Sequence, residues 1–548
     1  MKRVVVTGIG LISPIGNNAK ESWEGIKNKK CGIDDITFFD CETFKTKFDA
    51  EVKDFIFEDY FDTRTIKRTD RASLFAICSA REALADSKIT KENTDFNRLG
   101  VYVSTGIGGF NTIEEQCANC FEKGNKRVSP LFIPTAIVNM PAGNIAIDVG
   151  AKGESISIVT ACASSTHSIG EAYRAIKLGL EDAIIAGGTE AAICKTSMAG
   201  FENMKALSSS TDKNRASIPF DKERNGFVMG EGAGAIVLEE LEHALKRNAK
   251  IYAEVIGYGA TSDAYHITSP DPEGDGAKRA MLRAIEDAGI KPSEVDYINA
   301  HGTSTHLNDL TETVAIKGAF GDDYKNVLVS STKGNTGHLL GAAGVTEAIF
   351  CVKAIEEGIV PPVINYEVAD EECDLNLVVN ECLDYDVKVA MSNSLGFGGH
   401  NGSLIFRAFD PMGTGQFGSI GWHSFDYLIW KWSAKTLELC SRQKYIVLFV
   451  PPQLRTKSKN LSCKTIFVLR VLVVFARNLL TLTSLSVPTL TTLHKTIYFC
   501  RLHNFKVLAT LKTEGFWYFE VEERGVLIWN MIKLKDWLMI WGILNYLR

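Results

Sequence analysis

Short apolar strands alternate with helical stretches through the first 409 residues of this 548-residue chain, and this alternation constrains the fold most strongly. Buried strands are predicted at 4–7, 155–160, 183–186, 235–238, 253–257 and 295–299. Helices are predicted at 71–87, 276–288, 310–320 and 339–356. Apolar strands interleaved with helices predict sheets whose two faces are both covered by helices.

A strand ends at a potentially reactive residue in both parts of this region. Strand 155–160 leads into Cys162, and strand 295–299 leads into His301. A helical stretch follows soon after each of them. The sequence therefore predicts an internal duplication with one site between two similar halves.

The composition changes near residue 410. Residues 411–548 contain seven of the eight tryptophans and carry a formal net charge of +11, whereas the residues before them carry −17. We interpret the last segment as an extension of unassigned structure, non-native or disordered, with a lineage-specific appendage as the alternative. The predicted parts are two halves and this extension, over 1–250, 251–409 and 410–548.

The sequence disfavours membrane, nucleic-acid-binding and secreted classes. Residues 465–482 approach the length of a membrane span, but Arg470 and Arg477 interrupt them, and a charge deep in a bilayer costs a few kcal/mol. The acidic body lacks the basic surface that phosphate binding requires. Thirteen cysteines, an odd number, and a start without a secretory signal predict a cytoplasmic protein without a disulfide framework.

A cysteine lies at the end of an apolar strand in segment 159–165 (VTACASS). A helical stretch is predicted to follow over 166–178, so the Cys162 thiol would lie near unpaired N–H groups and the positive end of a helix dipole. Both features favour thiolate over thiol. Cys162 is therefore a candidate nucleophile, with a buried structural cysteine as the alternative.

Two histidines lie in runs of small and hydroxylic residues that leave their rings accessible. His301 lies in 299–305 (NAHGTST), and His338 lies in 331–344 (STKGNTGHLLGAAG). Either histidine alone would more often be a hydrogen-bonded structural residue. One cysteine and two such histidines together match the roles that covalent acyl transfer requires.

Four glycines occur among the ten residues of segment 393–402 (NSLGFGGHNG). They allow the backbone to bring N–H groups close to a ligand, and Phe397 is the bulky side chain among them. A glycine-rich hairpin with one buried aromatic residue is the alternative.

Two other motifs are not interpreted as sites. Gly8 and Gly10 follow the first strand, but Ser13 stands where a dinucleotide-binding fingerprint has its third glycine. Cys117 and Cys120 have the spacing of a metal-binding pair, but no second pair accompanies them, so no metal is expected.

The four motifs, in this order, resemble those of the elongating condensing enzymes of bacterial type II fatty acid synthesis, the β-ketoacyl-acyl-carrier-protein synthases. The resemblance covers about residues 1–409 and includes MKRVVVTGIGLISPIG, PFDKERNGFVMGEGAG and SDAYHITSPDPEG. It implies an α/β fold, the thiolase-like five-layer αβαβα sandwich of two similar halves. The implied reaction is decarboxylative condensation of an acyl thioester with malonyl-acyl-carrier protein.

The resemblance implies a Cys-His-His site. Cys162 would carry the acyl chain, while His301 and His338, as neutral rings, would stabilise an enolate through N–H donation. The backbone N–H groups of Cys162 and Phe397 would hold the charge of the tetrahedral intermediate, and Phe397 would also act as a gate for the acyl chain.

The resemblance also implies supporting and binding residues. Lys333 is expected to be buried, with Glu347 as its ion-pair partner, because a buried lysine without a partner would tend to lose its charge. The expected pantetheine contacts are Thr303, Thr305 and, more weakly, Thr268. A basic patch suited to an acidic carrier protein is expected at Arg64, Lys67, Arg68, Arg71 and Lys205, with an ordinary solvated charged face as the alternative.

No free cofactor is expected, because the acyl carrier protein supplies the phosphopantetheine arm, and a homodimer is the expected assembly. A thiolase would need a second cysteine in 393–402, which has none. A polyketide-type ketosynthase and a non-catalytic partner subunit remain as alternatives, although such partner subunits lose the nucleophilic cysteine. This sequence departs from the usual residues of the family at His306, Asn225 and His400.

Overall fold

The computed structural model describes residues 1–410 and four strands between residues 498 and 533. The chain divides into two compact units, Met1–Phe409 and Asp410–Arg548.

The strands of the first unit are β1 (Val4–Ile12), β2 (Asp34–Asp35), β3 (Phe48–Asp49), β4 (Leu99–Ser104), β5 (Ser155–Ile156), β6 (Ala183–Glu190), β7 (Gly232–Glu240), β8 (Ala253–Ser262), β9 (Tyr297–Asn299), β10 (Leu328–Ser330), β11 (Ile359–Val360), β12 (Leu383–Asp384), β13 (Val389–Gly396) and β14 (His400–Arg407). Its α-helices are α1 (Ala19–Lys27), α2 (Thr63–Ile66), α3 (Arg71–Ser87), α4 (Phe110–Lys123), α5 (Phe132–Ala136), α6 (Met140–Val149), α7 (Ser164–Leu178), α8 (Lys195–Asn203), α9 (Leu241–Lys246), α10 (Asp275–Ala288), α11 (His306–Phe320), α12 (Lys333–Thr336) and α13 (Ala343–Glu357).

Ten of these strands form one mixed sheet in the order β10-β9-β13-β14-β8-β1-β7-β6-β4-β5. Five strands of the sheet come from each half, and they can be numbered first to fifth along the chain. From the central β1–β8 pair outward, both halves place these strands in the order first, fifth, fourth, second, third. Both halves also have the same pattern of pairing, with two antiparallel pairs followed by two parallel pairs. This identity of topology confirms the predicted duplication.

The helices complete a sandwich of five layers. Helices α7 and α13 are buried along most of their length and pack against each other and against strands of both halves. Helices α3 and α6 cover the strands of the first half, and α10 and α11 lie against the second half. The β1–β8 pairing spans only Val4–Val6 and Ala253–Val255, so it joins two five-stranded sheets at one edge. The expected thiolase-like αβαβα fold is confirmed.

The structure corrects the equivalence that the sequence indicated between Cys162 and His301. The strand before Cys162, β5, is the third strand of its half, and its counterpart is β10. His301 follows β9, which corresponds to β4 instead. The segment equivalent to that of Cys162 is therefore the one after β10, which contains His338. Strand β5 is also shorter than the predicted 155–160, because the backbone then turns toward α7.

In the second unit, four strands pair antiparallel in chain order: β15 (Tyr498–Leu502), β16 (Phe505–Lys512), β17 (Phe516–Glu523) and β18 (Val526–Lys533). The apolar stretch 465–482 lies outside the described residues. None of the helices in the described parts of the chain is long and apolar enough to cross a bilayer.

Candidate active site

Cys162 lies in a tight turn between β5 and α7. The turn is a 3₁₀ helix over Ala161–Ala163, and Ala161 has a φ of +51°, a left-handed conformation that non-glycine residues rarely adopt. The Ser164 hydroxyl donates to the Ala161 carbonyl at 2.7 Å and accepts from the Thr160 N–H at 2.9 Å. These bonds offset the strain and fix the direction of the thiol.

The Cys162 side chain is 9 % exposed and packs in an apolar cluster with Phe227 and Leu340. Burial raises the pKa of the Cys162 thiol to about 12, and the positive charge of Lys333 opposes this shift only in part. The position before α7 favours a thiolate, as the sequence indicated, but desolvation opposes it and is the larger effect. The nucleophile must lose its proton during the reaction.

The rings of His301 and His338 meet edge to face, with centroids 5.2 Å apart and planes at 84°. Phe227, from the cluster that contains Cys162, packs edge-on against His338 at 5.3 Å. His338 is held by two backbone bonds: its N–H donates to Val228 at 2.7 Å, and its carbonyl accepts from Gly230 at 2.9 Å. The structure thus brings the three predicted reactive residues to one buried region.

Glu312 on α11 fixes the backbone of His301, and the sequence analysis did not identify it. Its carboxylate accepts from the N–H of His301 and from the N–H of Gly302, both at 2.8 Å. Burial raises the pKa of Glu312 to about 7. The available signal was an acidic residue on the apolar side of the predicted helix 310–320.

Lys333 is buried next to the backbone of His301. Its ammonium donates to the His301 carbonyl at 2.5 Å and to the Glu347 carboxylate. Burial raises the pKa of Glu347 to about 7, and Lys333 opposes that shift. Burial, with the Lys333 charge as a second cause, holds the pKa values of His301 and His338 well below the usual range. Both imidazoles are therefore neutral near pH 7.

Phe397 lies in the turn of the β13–β14 hairpin, whose Gly398 and Gly399 have φ of +85° and +73°. A Cβ at Gly396 would lie 2.5 Å from the Thr160 carbonyl oxygen and 3.4 Å from the Cys162 nitrogen. Glycine is therefore required there for the hairpin to approach the cysteine turn.

An aromatic path connects the hairpin to the histidines. The half-buried Phe397 ring lies 6.3 Å from Phe201, and Phe201 lies 5.5 Å from Phe227, which contacts His338. The sequence analysis singled out neither Phe201 nor Phe227. Their positions depend on packing between distant segments.

The predicted pantetheine contacts lie in two segments. The hydroxyls of Thr303 and Thr305 are hydrogen-bonded to each other at 2.9 Å, just before α11. Thr268 is half-buried, and its hydroxyl lies 3.3 Å from His266 Nδ1. The loop of Thr268 reaches the hairpin, since Gly398 N–H donates to the Ile267 carbonyl at 2.8 Å.

Four of the five basic residues proposed for docking are exposed, and none of the four forms an ion pair with a carboxylate among the described residues: Arg64, Lys67, Arg68 and Lys205. Arg71 differs. Its guanidinium binds the buried Glu231 through two bonds of 2.6 and 2.8 Å and lies over the Phe75 ring at 4.6 Å. Arg71 is committed to the interior, so the structure removes it from the docking set.

The three departures from the usual family residues leave the core of the site unchanged. His306 is the first residue of α11, is exposed, and has its carbonyl bonded by Arg224 at 3.2 Å. The Asn225 side chain accepts from the Ser208 hydroxyl at 3.0 Å. His400 begins β14, beside Gly398.

Comparison with known proteins gives consistent matches. Residues 1–244 match the family described as "Beta-ketoacyl synthase, N-terminal domain", and residues 252–367 match "Beta-ketoacyl synthase, C-terminal domain". The 3-oxoacyl-[acyl-carrier-protein] synthase 2 of Staphylococcus aureus is 50% identical over 409 residues, which are 75% of this chain and 99% of that protein. The protein of the same name from Synechocystis sp. is also 50% identical over 409 residues, 74% of this chain and 98% of its own.

Solved structures give the same result. A β-ketoacyl synthase from Burkholderia phymatum has a TM-score of 0.70 and 32% identity, over 75% of this chain and 100% of that one. A type II polyketide ketosynthase, solved with its acyl-carrier protein and a bound hexaketide, has a TM-score of 0.70 and 34% identity over the same shares.

We predict that removing the positive charge of Lys333 changes the pKa values of His301 and His338. In Lys333→Met/Glu347→Gln, the ammonium is absent and no unpaired charge remains, so the pKa values of His301 and His338 rise toward the usual range. The imidazoles then become protonated at a higher pH than in the unaltered protein, as NMR of labelled histidine rings would record.

The matched control for this titration is Lys353→Met/Glu356→Gln, which removes a partly buried ion pair within α13, the helix that carries Glu347. It should leave both histidine titrations unchanged. Midpoints that stay in place or fall in the Lys333 variant would contradict the electrostatic account.

Proposed function

We propose that this chain, which belongs to the β-ketoacyl synthase family, is an elongating 3-oxoacyl-[acyl-carrier-protein] synthase of fatty acid biosynthesis. It is an acyltransferase that joins an acyl thioester to malonyl-acyl-carrier protein with loss of carbon dioxide. The observation that carries the proposal is the grouping of one buried thiol with two neutral imidazoles, next to a buried Lys333 that binds the His301 backbone carbonyl.

Acylation comes first. The Cys162 sulfur attacks the acyl thioester while its proton passes to a neutral imidazole, because the thiol is protonated at rest. The N–H groups of Cys162 and Phe397 bind the oxyanion of the tetrahedral intermediate. The intermediate collapses, the carrier-protein thiolate leaves, and it takes up the proton. The acyl chain remains on Cys162.

Condensation follows when malonyl-acyl-carrier protein enters. Its carboxylate leaves as carbon dioxide, and the electrons of the broken bond form an enolate whose oxygen receives hydrogen bonds from His301 and His338. Neutral rings can donate one N–H each without trapping the enolate as an enol. The enolate carbon then attacks the acyl thioester and displaces the Cys162 thiolate, which takes up a proton from solvent. No free cofactor or metal enters these steps.

The two steps make a sharp prediction for Cys162→Gln. The variant should lose condensation completely, since no thioester can form, yet it should still release carbon dioxide from malonyl-acyl-carrier protein because both histidines remain. Radiolabelled malonyl substrate measures both products in one assay.

Cys117→Ser serves as the control, because Cys117 is an exposed thiol on α4 that alkylating reagents also reach. This variant should retain condensation and should still be inactivated by iodoacetamide or cerulenin, with the adduct on Cys162. Full condensation activity in Cys162→Gln would eliminate the assigned nucleophile.

The same geometry suits a polyketide ketosynthase, but the similarity favours fatty acid elongation. The chain is 50% identical to the 3-oxoacyl-[acyl-carrier-protein] synthase 2 relatives and 34% identical to the polyketide ketosynthase. A non-catalytic partner subunit is disfavoured because Cys162 is present. Condensation assays with acyl-carrier proteins of graded chain length distinguish the pathways.

We also propose that the acyl carrier protein docks on Arg64, Lys67, Arg68 and Lys205, which are exposed cations on an acidic body. The solved polyketide relative is itself in complex with its acyl-carrier protein. Complementary charge accelerates encounter more than it affects the chemical step.

The docking proposal predicts a difference between KM and kcat. Arg68→Glu should raise KM for acyl-carrier-protein substrates by about tenfold and leave kcat unchanged. Activity with a small acyl thioester that lacks the carrier should not change. Lys291→Glu, at another exposed lysine, is the control. Equal KM effects in the two variants would argue against this patch.

We propose a homodimer that forms along β5. This strand is the last in its half of the sheet, so one side of it has no partner among the described residues. Two exposed apolar side chains lie near it: Ile147, on the helix α6 that packs against β5, and Val159, three residues after the strand, at 79% and 43% exposure. Edge strands and apolar patches of this kind are typical of subunit interfaces.

Light scattering tests the dimer. The unaltered chain should have the mass of two copies, and Ile147→Lys/Val159→Lys should have the mass of one. Leu178→Lys alters a comparably exposed leucine, at 67%, that lies away from β5 in the sequence and should stay dimeric. A dimeric double variant would refute this interface.

A cytoplasmic location is part of the proposal. The ten cysteines of residues 1–410 are all free thiols, which suits a reducing compartment.

A further inference from the structure

The two N–H groups proposed to bind the oxyanion come from different halves of the protein. The N–H of Cys162 belongs to the turn after β5, and the N–H of Phe397 belongs to the β13–β14 hairpin. Oxyanion stabilisation requires both donors at hydrogen-bond distance from one oxygen atom. Some contact must therefore fix the hairpin relative to the cysteine turn.

His167, in the first turn of α7, contacts both segments. Its Nδ1 lies 2.7 Å from the Thr160 hydroxyl, two residues before Cys162, and its Nε2 lies 3.2 Å from the Asn401 carbonyl in β14. The side chain is 6 % exposed. No other described histidine bonds both the turn and the hairpin.

The hydrogen bonds define the tautomer of His167. The Asn401 carbonyl only accepts, so Nε2 carries the proton, and Nδ1 accepts from the Thr160 hydroxyl. Burial lowers the pKa of His167, which keeps the ring neutral. One neutral imidazole thus accepts from the nucleophile turn and donates to the hairpin.

Packing around His167 leaves little freedom for the hairpin. A Cβ at Gly402 would lie 3.2 Å from the His167 ring, so the backbone of β14 rests against the imidazole. The Tyr258 ring packs edge-on at 6.2 Å on the same histidine. A neighbouring bond, between the hydroxyls of Thr166 and Ser394 at 2.6 Å, joins α7 to β13. The helix therefore contacts both strands of the hairpin.

We propose that His167 is a positioning residue for acyl transfer: by bonding Thr160 and Asn401 together, it sets the distance between the Cys162 and Phe397 N–H groups. The inference rests on the proposed function, because it concerns the oxyanion of that reaction. His167 does not touch the reacting atoms. Its effect passes through the backbones that carry the two donors.

Two rates distinguish positioning from general structural support. Acyl transfer from acyl-carrier protein to Cys162 builds an oxyanion, whereas alkylation of the same thiol by iodoacetamide does not. His167→Leu should slow single-turnover acyl transfer by about tenfold, less than the 10²–10³-fold cost of losing a donor entirely. Its rate of Cys162 alkylation should remain that of the unaltered enzyme.

Conservative and combined variants sharpen the test. His167→Gln retains one donor and one acceptor, so it should recover most of the lost acyl-transfer rate. Thr160→Val removes the bond to Nδ1, and the double variant Thr160→Val/His167→Leu should be no slower than His167→Leu alone, because both changes break one linkage.

Tyr173→Phe is the matched control. It also removes a hydrogen bond from α7 to the second half, from the Tyr173 hydroxyl to the Ile256 carbonyl at 3.1 Å, but it does not touch the hairpin. It should leave acyl transfer unchanged. The proposal is overturned if His167→Leu leaves acyl transfer intact, if it slows alkylation in parallel, or if the two single effects multiply. If the unaltered enzyme carries neither an acyl group nor an alkyl label on Cys162, the proposed function itself is refuted.

Discussion

The site depends on one buried ammonium group. Lys333 bonds the His301 carbonyl and the Glu347 carboxylate, so it ties together the segment after β9, helix α12 and helix α13. Its charge also reaches both imidazoles and the Cys162 thiol. Removing one partner of a buried pair generally costs about 3–5 kcal/mol, because the remaining charge has no compensation. Lys333 is therefore a structural and an electrostatic element at once.

Duplication explains how one site receives contributions from both halves. Each half places a reactive loop after its third strand, Cys162 after β5 and His338 after β10, and each loop leads into a buried central helix. The two central helices, α7 and α13, pack together, so the loops before them meet. The second half supplies His301 and the Phe397 hairpin in addition. Desolvation has the same consequence for all three side chains, because it favours the uncharged thiol of Cys162 and the uncharged imidazoles of His301 and His338.

Residue types and strand ends were sufficient to predict the main features from the sequence. Cys162, His301 and His338 stand in segments whose small neighbours leave space for a substrate. Strands that alternate with helices predicted sheets covered on both faces, and the resemblance to the condensing enzymes implied the five-layer fold. The identity of the equivalent strands was not predictable in this way. Sequence order alone made Cys162 and His301 seem to correspond, whereas sheet topology pairs Cys162 with His338.

The failures all concern contacts between residues far apart in the chain. The thiolate prediction considered the local helix but not the burial created by Phe227 and Leu340. The sequence places Arg71 beside Arg68 and therefore suggests a surface cation. Its bonds to Glu231, which is far away in the chain, are visible only in the structure. Glu312 and His167 bond segments that are far apart in the chain or carry the reactive residues, so no motif marks them. Such roles depend on tertiary packing and require coordinates.

In the proposed reaction, a thiol, two neutral imidazoles and two backbone N–H groups converge on one acyl thioester. A crystal structure of the enzyme after reaction with an acyl-acyl-carrier protein would show this arrangement. We expect an acyl group bonded to the Cys162 sulfur, with its carbonyl oxygen about 3 Å from the backbone nitrogens of Cys162 and Phe397. The rings of His301 and His338 should border the space beside that thioester. An acyl group on any other residue, or rings that face away from the thioester, would refute the arrangement.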